Sequence, residues 1–333
     1  MSVSSLHKQI LQKNILVIGA GSIGVRHMTN LVSLGFKNVF VFRHKRSDNL
    51  VINGQKIVVV ANWKEVGKLA IYATIICSPT SMHMTQAIRC LQVGSHLLIE
   101  KPLSDSKAGI ERLRKEIGRN RKLVVVAYML RYHPLLRKVK QIVENKTYGN
   151  LISFSSKWGE FLPDWHPWED YRKSYAARKE LGGGVALTLS HDIDIVNWIT
   201  GSKVCQTKNV KNFRSKLKID VESGCDIIYQ YANGGTGHSH LDYYSKHHER
   251  YIEFIFDDAN IRFDYLLASL TIITGRKEKV LKADKFERNE LFIDELVAFF
   301  KKTTDFNIKD SIQAVDESEV ILNICKKENW KNG

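Results

Sequence analysis

The sequence predicts an α/β protein in which a doubly wound parallel sheet is followed by an α+β domain with an open, mostly antiparallel sheet. In the N-terminal part, short apolar runs alternate with helix-like segments, a pattern typical of parallel strands joined by helices. Beyond Arg131, longer strands follow one another directly, as in an antiparallel sheet. The length of 333 residues allows two domains that each bury a core.

The predicted first domain covers residues 1–131 and begins with the apolar run 14–18, which indicates a buried strand. A helix over 24–34 follows, and Gly35 suits its C-terminal end. Further apolar runs, separated by helix-like segments, predict strands at 38–43, 56–60, 73–77, 96–99 and 122–127.

The predicted second domain covers residues 132–333. Its predicted strands are 151–158, 225–231, 237–243, 250–256 and 260–264. Helices are predicted at 187–200, at 289–301 and in the tail 311–330. The tail carries apolar residues at helical spacing: Ile312, Val315, Leu322 and Cys325. The last helix is expected either to stay with this domain or to pack back on the first.

Composition and charge exclude several classes of protein. No apolar run approaches the roughly 20 residues that cross a bilayer, and the start lacks the apolar core of a secretory signal, so we expect a cytoplasmic protein without a membrane partner. Five cysteines without CxxC spacing argue against disulfides and zinc, and four histidines within 238–248 form no ligand triad, so we predict no metal.

The net charge is +15, but no nucleic-acid-binding motif accompanies it. We therefore expect an acidic small molecule, not a nucleic acid, as partner.

The first predicted strand runs into a glycine-rich turn of the pattern G-x-G-x-x-G. Gly19 would allow a tight turn, Gly21 the close approach of a pyrophosphate, and Gly24 close packing of helix on strand. The N-terminus of the helix offers free N–H groups and a positive dipole to phosphates, and Ser22 and Ile23 of the turn are assigned to the cofactor site with the three glycines. This context predicts a dinucleotide-binding Rossmann domain and not an ordinary glycine turn.

Cations follow the second predicted strand, where NAD-binding proteins usually carry the carboxylate that holds the ribose 2′-hydroxyl. The sequence there is Arg43-His44-Lys45-Arg46, and the first carboxylate is Asp48. Because cations attract the 2′-phosphate that a carboxylate would repel, the sequence favours NADP over NAD, with Arg43 and His44 as contacts. The alternatives are a solvated basic loop and the use of NAD.

Polar segments end the fourth and fifth predicted strands, at the edge of the sheet where ligands bind in doubly wound folds. A Cys-Ser-Pro-Thr segment ends the fourth strand and a Glu-Lys-Pro segment ends the fifth. The proline after the lysine fixes the backbone and could aim the ammonium into the cleft. Five residues are therefore assigned to the cofactor site: Ser78, Pro79, His83, Glu100 and Lys101.

With two later segments, these motifs make the chain resemble the Gfo/Idh/MocA family, named for glucose-fructose oxidoreductase and inositol dehydrogenase. The resemblance covers nearly the whole chain and rests on five segments: GAGSIGVRH at 19–27, SPTSMH at 78–83, EKP at 100–102, Tyr128 with Arg131, and LGGGVALTLSHDIDIVNWITG at 181–201. The resemblance implies an NAD(P)-dependent oxidoreductase acting on a sugar hydroxyl or carbonyl. It further implies a Rossmann domain, an open-sheet domain that forms homodimers or homotetramers, and Lys101 and His191 as catalytic residues.

The residue types of this implied catalytic pair suit hydride transfer. A histidine such as His191 can accept the hydroxyl proton near neutral pH, and a lysine such as Lys101 can stabilise the developing alkoxide. Many family members also carry an aspartate three or four residues before the histidine, but here Thr188 and Leu187 stand at those positions.

The missing aspartate leaves two interpretations open. Either His191 acts alone or with Asp192 or Asp194, or the protein is a non-catalytic sensor or regulator that binds the dinucleotide on the same fold. The retained lysine and histidine favour the enzyme, because a sensor has no need of both.

An aromatic and polar segment at 159–172 is expected to contact the substrate. Indole rings can stack on a sugar or a base, and guanidinium groups can bind a carboxylate or a phosphate. The predicted substrate-binding residues are Arg131, Trp165, Trp168, Arg172, Arg178 and Asp194. The segment is similar to a family branch associated with surface-polysaccharide and nonulosonic-acid pathways, which implies an acidic sugar or a nucleotide sugar as substrate.

Overall fold

The computed structural model describes residues 6–43, 49–283 and 286–328. The chain divides into two compact units: Met1–Ala127 with Arg288–Val320, and Tyr128–Glu287 with Ile321–Gly333. These bounds differ from the predicted division into 1–131 and 132–333, because a C-terminal segment belongs to the first unit.

Within the described residues, the first unit contains a seven-stranded sheet. Its strands are β1 Asn14–Ile18, β2 Asn38–Phe42, β3 Leu50–Ile52, β4 Gln55–Val60, β5 Ala73–Ile76, β6 His96–Glu100 and β7 Val124–Ala127. Their order is β3-β4-β2-β1-β5-β6-β7, and every neighbouring pair is parallel except β3 with β4. The predicted Rossmann-type sheet is thereby confirmed. The order reverses between β1 and β5, where ligands bind in such sheets.

Helix α1 Lys8–Leu11 precedes the first strand, and four helices connect later strands of the sheet: α2 Ser22–Ser33, α3 Trp63–Val66, α4 Thr80–Gln92 and α5 Ile110–Asn120. Helix α2 begins at Ser22, two residues before the predicted start at residue 24 and directly after Gly21 of the glycine turn. It is followed by Gly35, whose φ of +93° is a left-handed conformation that glycine adopts without a steric penalty. Met28 and Leu31 of α2 are buried in the core cluster that includes Ile15 and Val17 of β1.

Three helices in the described residues lie wholly within the second unit: α6 Pro134–Glu144, α7 Val185–Thr188 and α8 Ser190–Thr200. The helix predicted over 187–200 is divided, with Leu189 between α7 and α8. Gly184 precedes α7 with a φ of +111°, and a Cβ there would lie 2.6 Å from a carboxylate oxygen of Glu222. Short 3₁₀ turns cover Met129–Tyr132, Leu162–Asp164, Tyr171–Lys173, Tyr175–Ala177 and Lys179–Leu181.

The described part of the second unit contains an eight-stranded sheet. Its strands are β8 Leu151–Phe161, β9 Val204–Asn212, β10 Gly224–Tyr231, β11 Thr236–Asp242, β12 Tyr244–Phe256, β13 Asn260–Asp264, β14 Ser269–Thr274 and β15 Lys277–Lys282. The order is β15-β14-β13-β12-β8-β11-β10-β9, and only β8 with β11 is parallel. The predicted open, mostly antiparallel sheet is therefore confirmed. One face is buried by alternate residues such as Phe154, Ile227 and Phe254.

The chain ends with α9 Arg288–Lys302 and α10 Ile308–Lys326. Helix α9 places Leu296, Val297, Phe299 and Phe300 in the core cluster of the first unit. Full burial of such a side chain contributes roughly 1.5–3 kcal/mol, which explains why this segment belongs to that unit. The end of the predicted tail helix, Trp330, lies outside the described residues. None of the helices in the described ranges combines the length and apolar character needed to cross a bilayer.

Candidate active site

The glycine turn at the end of β1 is closely packed at two of its three glycines. Gly19 has a φ of +99°, and a Cβ there would lie 2.7 Å from the carbonyl oxygen of Cys77, directly after β5. A Cβ on Gly24 would lie 2.1 Å from the carbonyl oxygen of Gly19. Both approaches are too close for any side chain, so the turn requires glycine at these positions.

Gly21 has a different setting, because a Cβ there would meet no atom of the described chain within 4 Å. It is the N-cap of α2; no side chain in the described residues caps this helix, and its first turn contains no acidic residue. Gly21 and Ser22 are exposed and Ile23 is half-buried. The turn therefore presents backbone N–H groups and the positive end of a helix dipole beside unfilled space, a cradle that fits the pyrophosphate of a dinucleotide.

His83 joins the ends of β5 and β6. Its Nε2 lies 2.8 Å from the carbonyl oxygen of Ser78 and its Nδ1 lies 2.9 Å from that of Pro102. Burial lowers the pKa of His83, although the two carbonyl contacts oppose this effect. Pro79 is the N-cap of α4, and the Ser78 Oγ donates a hydrogen bond of 2.6 Å to Gln86. The structure thus brings Ser78, Pro79 and His83 together and engages both ring nitrogens of His83 within the protein.

Glu100 and Lys101 follow one another at the end of β6, and Lys101 forms a cis peptide bond with Pro102. The Glu100 Oε1 lies 2.8 Å from Nε2 of His27 on α2, and Oε2 accepts a hydrogen bond of 3.3 Å from the Lys101 N–H. Burial raises the pKa of Glu100, but the hydrogen bond from His27 and nearby positive charges outweigh it and hold the pKa below its usual value. The carboxylate is therefore ionised at neutral pH.

His27 also belongs to this site, although it was not predicted from the sequence. Its side chain is fully buried, and its ring packs edge-on against Phe292 of α9 with 5.8 Å between ring centroids. The available signal was its place at the end of the GAGSIGVRH segment, but spacing alone does not indicate that the ring reaches Glu100.

Arg43 follows β2 directly, and its backbone N–H donates to the carbonyl of Val60 at 3.0 Å. Its side chain is half-buried. This position agrees with the edge of the sheet where a cofactor ribose lies in Rossmann folds. The second predicted contact, His44, lies outside the described residues, as do Lys45 and Arg46.

In the second unit, His191 lies in the first turn of α8 and is half-buried. Its ring packs edge-on against Tyr128, with 6.0 Å between centroids and an interplanar angle of 79°. The Arg131 guanidinium lies 5.6 Å from the centroid of the same Tyr128 ring. Tyr128, Arg131 and His191, which all belong to the segments on which the family resemblance rests, therefore lie in one cluster.

The two carboxylates that follow His191 in the sequence both bind other groups. Both oxygens of Asp194 accept hydrogen bonds from Arg131, from Nε at 3.0 Å and from Nη2 at 2.5 Å. The Asp192 Oδ2 accepts a hydrogen bond of 3.0 Å from the Ser156 Oγ. Burial raises the pKa of Asp192 to about 6, although hydrogen bonds from serines oppose the shift. These contacts account for the burial of both carboxylates, and support of the His191 imidazole by either of them stays a prediction.

The predicted substrate-contact segment contains residues with different exposure. Trp165 is half-buried and packs edge-on against Tyr243, whereas Trp168 is 76% exposed. Arg172 pairs with Asp170, at 2.7 Å from its Nε, and Arg178 pairs with Glu180. Trp168 is thus available to a ligand, whereas each arginine already has a neighbouring carboxylate.

Two histidines on β11 form a hydrogen-bonded chain with aspartates. The Asp226 Oδ1 lies 3.1 Å from Nε2 of His238 and 2.8 Å from Nδ1 of His240, and the His240 Nε2 lies 3.2 Å from Oδ2 of Asp242. Hydrogen bonds to the two carboxylates raise the pKa of His240 to about 9. Across the described ranges, no group of three or more His, Cys, Asp or Glu side chains is arranged to hold a metal ion.

Two regions of the chain match family models. Residues 13–128 match an oxidoreductase family with an NAD-binding Rossmann fold, and residues 136–262 match the GFO/IDH/MocA C-terminal domain. A stretch of 195 residues is 28% identical to the myo-inositol 2-dehydrogenase of Thermotoga maritima and covers 56% of this chain and 55% of that protein. The chain spans about half the length of the curated relatives it matches.

Solved structures of two sugar dehydrogenases share the fold. A levoglucosan dehydrogenase in complex with NADH and levoglucosan has a TM-score of 0.77 at 16% identity, over 94% of this chain and 97% of that chain. A UDP-N-acetylglucosamine 3-dehydrogenase from Acidithiobacillus ferrooxidans has a TM-score of 0.72 at 16% identity, over 94% of this chain and 96% of that chain. At these identities the likeness concerns the fold.

Proposed function

Because the chain belongs to the Gfo/Idh/MocA family of oxidoreductases, we propose that it is a sugar dehydrogenase or reductase that uses a nicotinamide dinucleotide and acts on a CH–OH or carbonyl group. The glycine turn carries the proposal. Gly19 and Gly24 admit no side chain, and Gly21 leaves space beside the uncapped N-terminus of α2. The backbone from Gly21 to Ile23 would hold the pyrophosphate there.

The dinucleotide, when bound, accepts or supplies the hydride, and NADP is the cofactor we propose, with NAD as the alternative. Arg43 supplies a guanidinium at the end of β2. The three residues after it, His44, Lys45 and Arg46, are also basic, and the first acidic residue is Asp48. A cation there favours the 2′-phosphate by charge and by paired hydrogen bonds.

Calorimetric titration with NADPH and NADH tests the cofactor preference. Wild type should bind NADPH more tightly, and Arg43→Asp should shift the preference toward NADH. Lys37→Asp is the matched control, since it makes the same charge change on an exposed residue just before β2. An unchanged ratio of the two affinities in Arg43→Asp would refute the role of Arg43.

For the chemistry we propose His191 as the base that accepts the hydroxyl proton and Lys101 as the cation that stabilises the developing charge on oxygen. In the reverse direction, the same histidine donates the proton to the carbonyl oxygen. The edge-on packing of His191 on Tyr128 supports this role, because it restricts the orientation of the imidazole. Thr188 and Leu187 leave the histidine to act without the aspartate that many family members carry.

The proposed substrate is a sugar, with an acidic sugar or a nucleotide sugar as the finer proposal, in a surface-polysaccharide or nonulosonic-acid pathway. The net charge of +15 and the exposed Trp168 support an anionic ligand with a flat face. The names of its relatives, an inositol dehydrogenase and a UDP-N-acetylglucosamine dehydrogenase, define the panel to screen.

Turnover with that panel, followed as nicotinamide absorbance, tests the enzyme. Lys101→Met and His191→Ala should each abolish turnover and leave cofactor affinity within about twofold of wild type. Lys107→Met and His247→Ala, which replace exposed residues of the same types, are the controls and should stay active. Turnover that survives in both active-site variants contradicts the assignment.

A second candidate is a dinucleotide-binding sensor without catalysis. Thr188 and Leu187 favour it, since no carboxylate stands in the usual place before His191. A sensor should bind the cofactor tightly and turn over no member of the panel. An enzyme should bind the cofactor and also turn over at least one member of the panel.

We also propose a homodimer or homotetramer, acting in the cytoplasm. The second sheet has one face with exposed Ile228, Val210 and Ile273, which a second copy could cover. Sedimentation equilibrium of wild type and of Ile228→Lys tests this, since the added charge should weaken association.

A further inference from the structure

A buried histidine on the glycine-turn helix reaches the residue that precedes Lys101. His27 lies on α2 with its side chain 0% exposed, and Glu100 ends β6 with its side chain 12% exposed. The 2.8 Å between the His27 Nε2 and the Glu100 Oε1 is a hydrogen bond in which the nitrogen donates, because a carboxylate only accepts. One side of the Lys101 backbone is therefore tied to α2.

The other side of Lys101 is tied to α4. The carbonyl oxygen of Pro102, the residue after Lys101, lies 2.9 Å from Nδ1 of buried His83. The second carboxylate oxygen of Glu100 accepts a hydrogen bond from the Lys101 N–H at 3.3 Å. Two buried histidines thus hold the residues on either side of the lysine.

We propose that His27 is a positioning residue, whose hydrogen bond to Glu100 fixes the 100–102 segment and so sets the place of the Lys101 ammonium. This inference rests on the proposed catalytic role of Lys101. It also implies that one helix serves two purposes, because α2 both begins at the pyrophosphate cradle and carries His27 on its buried side.

The electrostatics show why this hydrogen bond matters for the lysine. Glu100 is a buried carboxylate, and its negative charge is offset by His27, Lys101 and His83. Without the His27 donor, one oxygen would lose its partner in a buried setting, which is costly for a charged group. The carboxylate would then draw the Lys101 ammonium toward itself and away from the substrate.

Three variants separate positioning from general stability. His27→Ala removes the donor, and His27→Gln restores it, because the glutamine amide nitrogen occupies nearly the place of the imidazole Nε2. His96→Ala is the matched control: His96 is buried on the same strand as Glu100, but it accepts a hydrogen bond from the Leu123 N–H at 3.1 Å.

Steady-state kinetics and calorimetry give the first readout. We expect His27→Ala to lower kcat by about 10- to 100-fold with the NADPH Kd within about twofold of wild type. His27→Gln should recover most of kcat, and His96→Ala should lower the melting temperature but leave kcat nearly unchanged. Loss of kcat in His27→Gln equal to that in His27→Ala, or an equal loss in His96→Ala, would overturn the proposal.

A second readout does not depend on turnover. Acetic anhydride labelling, followed by mass spectrometry across a pH series, measures the reactivity of Lys101 against exposed Lys107. In His27→Ala the labelling midpoint of Lys101 should move to higher pH, because its ammonium gains a closer carboxylate, and His27→Gln should match wild type. If wild type turns over no sugar, the proposed function fails, but the inference stands or falls by this midpoint, and an unmoved midpoint overturns it.

Discussion

Arg131 and Asp194 form a bidentate ion pair in the second unit, in which Nε and Nη2 of the guanidinium donate hydrogen bonds to the two carboxylate oxygens. The Asp194 side chain is 1% exposed and that of Arg131 is 26% exposed. Both residues were predicted to contact the substrate, and that assignment stays a prediction. Their mutual contact shows that each also satisfies the other in a largely buried setting.

Removing one partner of this pair should destabilise the protein. Arg131→Met leaves the buried Asp194 carboxylate without its guanidinium, and we expect the free energy of unfolding to fall by about 3–5 kcal/mol. The double variant Arg131→Met/Asp194→Leu should recover much of that loss, because no buried charge remains unpaired. Urea denaturation measures both. Single variants with wild-type stability and a raised KM would instead identify the pair as a substrate site.

Alanine at Gly21 and alanine at Gly24 should affect different properties of the protein, cofactor binding in the first case and folding in the second. At Gly21 a Cβ meets no protein atom of the described chain, so Gly21→Ala should keep the wild-type melting temperature and weaken dinucleotide binding about tenfold or more by filling the pyrophosphate space. At Gly24 a Cβ would lie 2.1 Å from a carbonyl oxygen, so Gly24→Ala should unfold or strongly destabilise the protein. Differential scanning calorimetry with and without NADPH distinguishes the two. Unweakened binding by Gly21→Ala would place the phosphate elsewhere.

The buried carboxylate of Asp192 should make stability depend on pH between about 4 and 6. Its folded pKa of about 6 lies above the ordinary value of 3.8, so the folded state holds a proton that the unfolded state releases in this range. Stability should therefore fall as pH rises from 4 to 6 and stay lower above that. Asp192→Asn removes the ionisation and should stabilise the protein at pH 8 by up to about 3 kcal/mol, but hardly at pH 4. Urea denaturation at both pH values checks this, and an equal effect at the two would contradict it.

His240 should remain protonated well above neutral pH. Its folded pKa of about 9 is raised by the hydrogen bonds to Asp226 and Asp242, so its contribution to stability is complete below about pH 6.5 and lost as pH rises through 9. NMR titration of the imidazole measures this pKa directly. In Asp226→Asn the titration midpoint should move to lower pH, since the first of the two charged partners is gone. His247→Ala, which changes an exposed histidine on β12, should leave the midpoint in place.

The fold followed from sequence wherever a pattern repeated along the chain. The apolar runs at 14–18 and 73–77 predicted buried parallel strands, and both are present as β1 and β5. Strands β3, β9, β14 and β15 were not predicted, and for two of them the physical reason is clear. Strand β3 has three residues, too few to show a period, and β15, KEKVLK, is an edge strand whose charged side chains face solvent.

The boundaries of the units and the contacts of the site depended on residues far apart in sequence. The sequence of 288–302 does not predict that Phe299 and Phe300 belong to the same core cluster as Ile15. Helical periodicity predicts which face of a helix is buried, but not which part of the protein covers that face. In the same way, His27 and Glu100 are 73 residues apart, and only the parallel order of the sheet brings α2 to the end of β6.

By itself, the sequence determined the fold class, the glycine turn and the chemical types available at the strand ends, because these depend on local spacing and steric limits. Only the tertiary structure decided which group each buried charge would face: Glu100 faces His27, Asp194 faces Arg131, and Asp192 faces Ser156. The physical reason is that a buried charge must find a partner, and the partner that satisfies it is selected by packing across the fold and not by neighbours along the chain.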